Sequence, residues 1–433
     1  MLRNIYGGYI SKMNILVIGG GGREHAIVWK LSQSAKAEKI YCAPGNGGIS
    51  GIAECLDIQA SDIEMIISNA KALKADLVVI GPDEPLALGL ADACESEGIR
   101  VFGPRRAESR LEWSKSYAKS LMLKHGIPTA NCSICDNAKD ALAALANFSA
   151  PYVIKTDGLA LGKGVIITED RAEAEAAIRA IMLDRIFGDS GSRVLLEECL
   201  TGPEMTVLAL TDGKTIKPMI CSQDHKRAFD GDLGPNTGGM GAFAPSPIYT
   251  EAVEKDCWNN IFMPTLEMMK KESIRYHGLL YFGLMLTNSG VKVIEYNARF
   301  GDPETQVILP LMKNDLIDVF DAVIDERLDN IELEWEAGCS ACVIAASGGY
   351  PGKYATGYEI DIAPLEDVSL FHAGTRKEKS KFVTSGGRVL GVTAVAGTLG
   401  GAIEKAYSGI RQVSFKDMHY RRDIGRAWYV NDK

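Results

Sequence analysis

Asn14-Ile15-Leu16-Val17-Ile18-Gly19-Gly20-Gly21-Gly22-Arg23-Glu24-His25-Ala26 is the stretch on which the fold turns. An unbroken apolar run that ends in glycines and passes into a helical pattern predicts a buried strand, a tight turn and a helix from about Glu24 to Ser34. The same unit repeats outward along the chain. Lys39 to Ala43 closes in Pro44-Gly45-Asn46-Gly47-Gly48, Asp76 to Ile80 in Gly81-Pro82-Asp83, and Val101-Phe102 in Gly103-Pro104. Short apolar strands alternating with helical patterns predict βαβ units and a parallel sheet, with ligands beyond the carboxyl ends of the strands. We expect an extension over 1–12 and an N-terminal α/β domain over 13–113.

The glycines invite a dinucleotide reading that their spacing refuses. Gly19-x-Gly21 would need a glycine where Glu24 stands, and Gly20-x-Gly22 one where His25 stands. The second strand ends in Ala43-Pro44-Gly45, without the acidic residue that holds a ribose hydroxyl. A nicotinamide oxidoreductase is therefore disfavoured. A helix N-terminus beside Arg23 remains, and Gly20, Gly21, Gly22 and Arg23 become candidates for a phosphate group. A plain tight turn would explain fewer glycines than these.

Beyond Ser114 the pattern changes. Helices are expected to His125 and around Asp136 to Asn147. Strands at Tyr152–Lys155, Gly164–Thr168, Val194–Cys199 and Met205–Thr211 should form an antiparallel α+β subdomain. A polar, glycine-rich loop then runs from Gln223 to Gly241, followed by a helix near Tyr249–Ile274 and strands at Gly278–Thr287 and Val291–Tyr296. The last hundred or so residues are strand-rich with glycine turns. The fold class is thus α/β plus α+β, with a central domain over 114–326, a lid within it over about 134–205, and a C-terminal domain over 327–433.

Composition narrows function. The 433 residues carry a net charge of −9, so no global positive field for nucleic acid exists, and any phosphate must meet local cations. No apolar run reaches the length of a membrane span, and the start does not read as a secretory signal. The ten cysteines include a single CxxC pair, Cys132 and Cys135, with no second pair to complete a zinc knuckle. Reduced cysteines in a cytoplasmic protein are expected.

Lys155-Thr156-Asp157-Gly158-Leu159-Ala160-Leu161-Gly162-Lys163-Gly164 is not a Walker A loop, having three residues between its glycines and Gly164 in place of Ser or Thr. Its amides and its lysines, Lys155 and Lys163, still suit a polyphosphate. Glu295-Tyr296-Asn297-Ala298-Arg299 is more telling. On a strand, Glu295, Asn297 and Arg299 share one face. A carboxylate beside an amide oxygen suits Mg²⁺, and an arginine two residues on suits a phosphoryl group or a carboxylate. Glu197-Glu198-Cys199-Leu200 before Glu204 reads as a hinge for an adenine edge with Glu204 at the ribose, a weak signal alone.

Taken in order, GGGGREHA (19–26), PGNGG (44–48), GPDEPL (81–86), KTDGLALGKGV (155–165), QDHKRAFDGDLGPNTGGMGAF (223–243), RFGDPETQ (299–306), SGGYPGKY (347–354), FHAGT (371–375) and YRRDIG (420–425) resemble the phosphoribosylamine–glycine ligase family of the ATP-grasp superfamily. The resemblance spans Met13 to about Arg426. It implies an N-terminal pre-ATP-grasp domain, a two-lobed ATP-grasp domain and a strand-rich C-terminal domain. It implies joining of glycine to 5-phosphoribosylamine with ATP, in purine biosynthesis, through a glycyl phosphate.

By position, Lys115, Lys155 and the loop carrying Gly158, Gly162 and Lys163 would hold ATP phosphates, with Glu197, Glu198, Leu200 and Glu204 around the nucleoside. Glu295 and Asn297 would hold Mg²⁺ or Mn²⁺. Arg299, Lys155 and Asp224 would act in catalysis, and Asp224, Lys226, Asn236, Thr237, Gly238, Gly239, Arg299 and Asp302 would surround the substrates. The acidic ligand that many ATP-grasp enzymes carry on the preceding strand is missing, since that strand reads Gly283-Leu284-Met285-Leu286. The partners implied are small molecules, with no nucleic acid or membrane, and the chain is expected to be a monomer. Another ATP-grasp ligase or carboxylase of purine metabolism, and a nucleotide sensor without catalysis, are the competing readings.

Overall fold

The computed structural model of the chain describes residues 12–158 and 164–429. The expectations for 1–11, Gly162 and Lys163 lie outside the described residues. The N-terminal sheet consists of β1 (Met13–Gly19), β2 (Ala37–Pro44), β3 (Glu54–Cys55), β4 (Leu77–Ile80) and β5 (Val101–Phe102), in the order β3-β2-β1-β4-β5. All four pairings are parallel. Ile15, Leu16, Val17 and Ile18 are fully buried, as a central strand covered on both faces requires. Because β1 pairs with β2 on one side and β4 on the other, the strand order reverses beyond Gly19, where such sheets open a crevice. The helix that follows, α1 (Gly22–Leu31), starts two residues earlier than the sequence suggests and ends three earlier than Ser34.

A second sheet, β6 (Cys132–Cys135), β7 (Tyr152–Thr156), β8 (Val165–Thr168) and β9 (Val194–Glu197), is antiparallel and ordered β6-β9-β7-β8. Helices Ala138–Ala144 and Arg171–Met182 bury one face of it around Ile154, Ile178 and Leu196. The helix at 171–182 has no counterpart in the sequence reading, although Ala174, Ile178 and Ile181 recur at helical spacing and Asp170 caps it through the Ala172 and Glu173 amides.

Met205–Thr211, expected with those strands, belongs elsewhere. The strand β10 (Glu204–Thr211) joins β11 (Ile216–Pro218) in a separate sheet. The segment read as one long loop is also structured, as β12 (Gln223–Asp224), β13 (Arg227–Phe229), β14 (Leu233–Asn236) and β15 (Gly241–Ala244), with β13 and β14 forming a hairpin. Polar residues and glycines hide such short strands, and β15 in addition has a partner, β18, far away in sequence. The helix expected over 249–274 is three consecutive segments over 251–271.

β16 (Gly278–Thr287) and β17 (Gly290–Asn297) complete the sheet β11-β10-β16-β17. Thereafter come β18 (Cys339–Ala346), β19 (Glu359–Ile362), β20 (Val368–His372), β21 (Thr375–Glu378), β22 (Lys381–Thr384), β23 (Arg388–Ala396) and β24 (Val413–Ser414). The larger C-terminal sheet runs β12-β15-β18-β23-β20, so the edge strand carrying Asp224 is an extension of C-terminal structure. One side of it is covered by the helix Leu399–Ile410, whose Ala402, Ile403, Ala406 and Ile410 are buried.

Candidate active site

A cavity of about 500 Å³ lies between the second sheet, β10, β16, β17 and the C-terminal sheet, within the range that takes one substantial ligand. One end of it begins at β9. The Glu197 carboxylate is buried between two lysines, with Lys155 Nζ 2.8 Å from Oε2 and Lys119 Nζ 3.1 Å from Oε1. Lys119 also donates to Thr129 Oγ1 at 2.7 Å. Burial works against the Lys155 charge, yet Glu197 outweighs it and holds the ammonium above its ordinary range. Glu198 also lines the cavity, and its carboxylate accepts from Lys292 Nζ at 2.9 Å and from the Asn131 amide at 3.1 Å. The chain then bends at Gly202, where φ is +146° and a Cβ would stand 2.1 Å from Leu286 O. Only glycine permits that approach.

On the opposite side, the helix Lys115–Lys124 is capped by Ser114 and presents Lys115 at its first turn. Lys115 Nζ reaches Gly158 O at 3.3 Å, and Asp157 is fixed by the Ser116 amide and hydroxyl. A lysine beside the backbone of a glycine-rich turn places positive charge where a polyphosphate would lie.

The other end is built on β17. Its pairing with β16 is 283↔295 and then 284↔293, an irregularity that leaves Ile294 over. Glu295 and Asn297 line the cavity, as does the buried Tyr296 between them, whose hydroxyl meets Thr265 Oγ1 at 2.8 Å. Arg299 follows on the same side, donating from Nη2 to Asn297 Oδ1 at 3.3 Å and pairing with Glu112 Oε1 at 3.1 Å. Burial pushes the Glu295 carboxyl upward, but Lys226, Lys115, Lys155 and Arg299 prevail and hold it below the usual carboxylate range. No described residue hydrogen-bonds to it. An ionised carboxylate with free oxygens beside an amide oxygen fits a hard cation that completes its shell with phosphate oxygens and water. Among the described residues no cluster of three or more His, Cys, Asp or Glu offers an alternative.

Asp224 and Lys226 enter from β12 and the turn after it. Lys226 Nζ lies 2.5 Å from Glu204 Oε2. Burial lifts the Asp224 carboxyl to about 7, with Lys226 opposing and Glu304 and Glu204 adding to the rise. The turn after β14 is held by Thr237, which donates to Lys226 O through both its amide and its hydroxyl. Asn236, Thr237 and Gly238 line the same cavity, as do Arg23 and Asp302. Gly239 is instead packed on Pro303, where a Cβ would meet Cδ at 2.4 Å.

The glycines at the start of α1 face a different opening. Gly20 and Gly21 line a neighbouring cleft with Gly45, Asn46, Gly374 and Thr375, while Gly22 lines neither space. Two amides there already serve carboxylates, Gly21 N donating to Glu24 Oε2 at 2.6 Å and Arg23 N to Asp302 Oδ2 at 3.4 Å. A close approach also accounts for Gly20, since a Cβ would lie 2.4 Å from Gly45 O.

Sequence reasoning missed Glu112, Lys119 and Arg388. Lys119 sits on the buried face of an amphipathic helix, one turn from Lys115, and that position in the 3.6-residue period was a usable signal. Glu112 and Arg388 belong to no motif, and their partners are 187 and 86 residues away in the chain, from 299 − 112 and 388 − 302.

The phosphoribosylglycinamide synthetase family matches the chain in three parts, its N domain over 13–112, its ATP-grasp (A) domain over 113–305 and its C domain over 340–427. The phosphoribosylamine–glycine ligase of Clostridium acetobutylicum is 45% identical over 96% of this chain and 100% of that protein. The one from Caldanaerobacter subterraneus subsp. tengcongensis is 46% identical with the same coverage. The crystal structure of the Thermotoga maritima phosphoribosylamine–glycine ligase superposes with a TM-score of 0.81 at 33% identity, covering 95% of this chain and all of that one. The biotin carboxylase of Campylobacter jejuni shares the fold at 15% identity, TM-score 0.74, over 95% of this chain and 93% of that one. With all three domains present in order and relatives this similar along nearly the whole chain, the protein belongs to the phosphoribosylglycinamide synthetase family of ATP-grasp enzymes.

Proposed function

We propose that the protein joins glycine to 5-phosphoribosylamine, converting ATP to ADP and phosphate through a glycyl phosphate, in purine biosynthesis. The observation that carries this reading is one cavity with a self-neutralised hinge at one end and the Glu295, Asn297 and Arg299 face at the other. Adenine lies against the backbone after Glu197, the ribose near Glu204, and the phosphates beneath Lys115, Lys155 and the Gly158 turn. Glu295 and Asn297 would hold Mg²⁺ or Mn²⁺, which when bound draws charge from phosphoryl oxygens.

A carboxylate oxygen of glycine attacks the γ-phosphorus, and Arg299 and Lys155 stabilise the charge that gathers on its oxygens. The amine then attacks the acyl carbon, a C–N bond forms, and phosphate departs. Asp224 is placed to take the proton the amine loses. The cleft by Gly20, Gly21 and Thr375 receives the phosphoribosyl group, with Asn236 to Gly239, Arg23 and Asp302 between it and the acyl centre.

Closure is assigned to the second sheet with its two helices, within a lid over about 134–205, since glycyl phosphate hydrolyses in water. The domains are taken as 13–113, 114–326 and 327–433. A reducing cytoplasm is taken from the cysteine usage, ten scattered residues. The chain is taken to act as a monomer. A coupled phosphate-release assay with freshly generated phosphoribosylamine tests the reading. Release that needs both glycine and the amine is expected, and release supported equally by bicarbonate in place of glycine would overturn it.

A further inference from the structure

Arg388, at the start of β23, lies in the wall between the main cavity and the neighbouring cleft and lines both. Its Nη1 donates to Gly238 O and to Asp302 O, each at 2.7 Å, and stands 3.3 Å from Asp302 Oδ1. Gly238 admits it closely, since a Cβ there would approach Cζ to 2.9 Å. Asp302 in turn accepts from Gln306 Nε2 at 2.7 Å and from the Arg23 amide. The node therefore ties the start of α1, the turn after β14, the turn after β17 and the C-terminal sheet at one point. The remaining guanidinium edge, Nε and Nη2, has no partner among the described residues, and the side chain is about one-fifth exposed.

We propose that Arg388 is a positioning residue that couples formation of the acyl phosphate to its capture by the amine. The inference rests on the glycyl phosphate reading above. Two fates compete for that intermediate. The amine can form a C–N bond as the C–O bond to phosphorus breaks, giving amide, phosphate and a proton. Water can form a C–O bond instead, returning glycine with phosphate and a proton. Only the first needs the cleft and the cavity held in register. The single nitrogen Nη1, which holds both turns at the boundary, supplies that register, since misplacement by about 1 Å costs on the order of a hundredfold in such attacks. Lysine can offer its one ammonium to the same carbonyls but lacks the second guanidinium edge and the planar shape, so it restores the register only in part.

The test compares wild type, R388K and R388M with ATP, phosphoribosylamine generated in place, and glycine labelled with ¹⁸O in its carboxylate. Phosphate and glycinamide ribonucleotide are both counted. For wild type, equal amounts and one ¹⁸O in the phosphate are expected. For R388M, phosphate should exceed product by about tenfold, with glycine recovered carrying a solvent oxygen and with KM raised for the amine but not for glycine. R388K should fall between them, and it decides the matter if thermal unfolding shows R388M unfolded. Equal phosphate and product in the folded variants, however slow, would overturn the role of Arg388. Absence of ¹⁸O from the wild-type phosphate would overturn the acyl phosphate itself and leave Arg388 without a step to couple.

Discussion

The two ends of the main cavity carry similar side chains in opposite states. At the nucleotide end charges answer one another, Glu197 between Lys119 and Lys155, and Glu198 against Lys292. At the reaction end they do so only in part, with Arg299 paired to Glu112 and Lys226 to Glu204. Glu295 has no hydrogen-bond partner among the described residues, and the buried Arg299 Nε has none either. A matched end needs nothing from its ligand except shape and a few hydrogen bonds. An unmatched end holds polar groups that only a bound phosphoryl, carboxylate or cation can satisfy, which is how a site is preorganised for charge that develops during reaction. Binding and chemistry are thus divided along the length of one cavity.

The largest break in that division comes from Glu295→Ala. It removes a carboxylate that accepts no hydrogen bond from the described residues but answers Lys226, Lys115, Lys155 and Arg299 in charge, so the unfolding temperature should fall only modestly. Turnover should fall by about a thousandfold, the scale of losing a principal electrostatic group. Wild-type rates at saturating magnesium would remove Glu295 from the metal set. Glu197→Gln should do the reverse. It strips the counter-charge from two buried lysines and should destabilise the protein by about 3–5 kcal/mol, as breaking a buried pair does. The ATP KM should rise with it, while the turnover of the folded fraction at saturating ATP is largely kept. Calorimetry beside steady-state kinetics separates the two outcomes.

The reaction end should also show in pH. With its folded value raised to about 7, Asp224 is mostly protonated below neutrality, and kcat/KM should rise about tenfold per pH unit on the acidic side and level off above it. Asp224→Asn should lose that limb. Stability takes the opposite sign. A carboxyl raised on folding contributes fully below its ordinary value of 3.8, and that contribution is lost as pH rises through about 7. The empty protein should therefore lose stability from this group on going from pH 5 to 8, and the asparagine variant should not. A flat profile in the wild type would take the proton from Asp224 and give it to another group.

What the sequence disclosed follows from range. The run Ile15 to Ile18 and its glycine turn are local, so the parallel sheet and its crevice were readable from periodicity alone. The shared face of Glu295 and Asn297 needed only a strand period of two. Strands β12 and β15 were not readable, because they join the edge of a sheet built mostly about a hundred residues later, while the local hairpin β13–β14 is hidden by its glycines and polar residues. Met205 to Thr211 went to the wrong sheet for the same reason, strand type being a local property and strand partner a distant one. Glu112 and Arg388 complete the site by long-range ion pairs, which no local pattern records. The substrates themselves came from resemblance, since phosphate cradles and a metal face do not distinguish glycine from another carboxylate.

The smallest expected effect sharpens the contrast most. Glu198 adjoins Glu197 in sequence, yet its side chain is about one-third exposed, where that of Glu197 is buried, and its partners Lys292 and Asn131 lie away from the cavity. Exposed pairs of this kind contribute at most about 1 kcal/mol, because water screens both charges and two long side chains lose freedom. If the hinge acts on adenine through backbone alone, Glu198→Gln should leave the ATP KM within about twofold and lower stability by no more than that increment. Glu197→Gln should shift both severalfold further. Equal effects from the two neighbours would mean that side-chain charge near the hinge, and not the alternation of a strand that turns one carboxylate inward and the next outward, sets the nucleotide end.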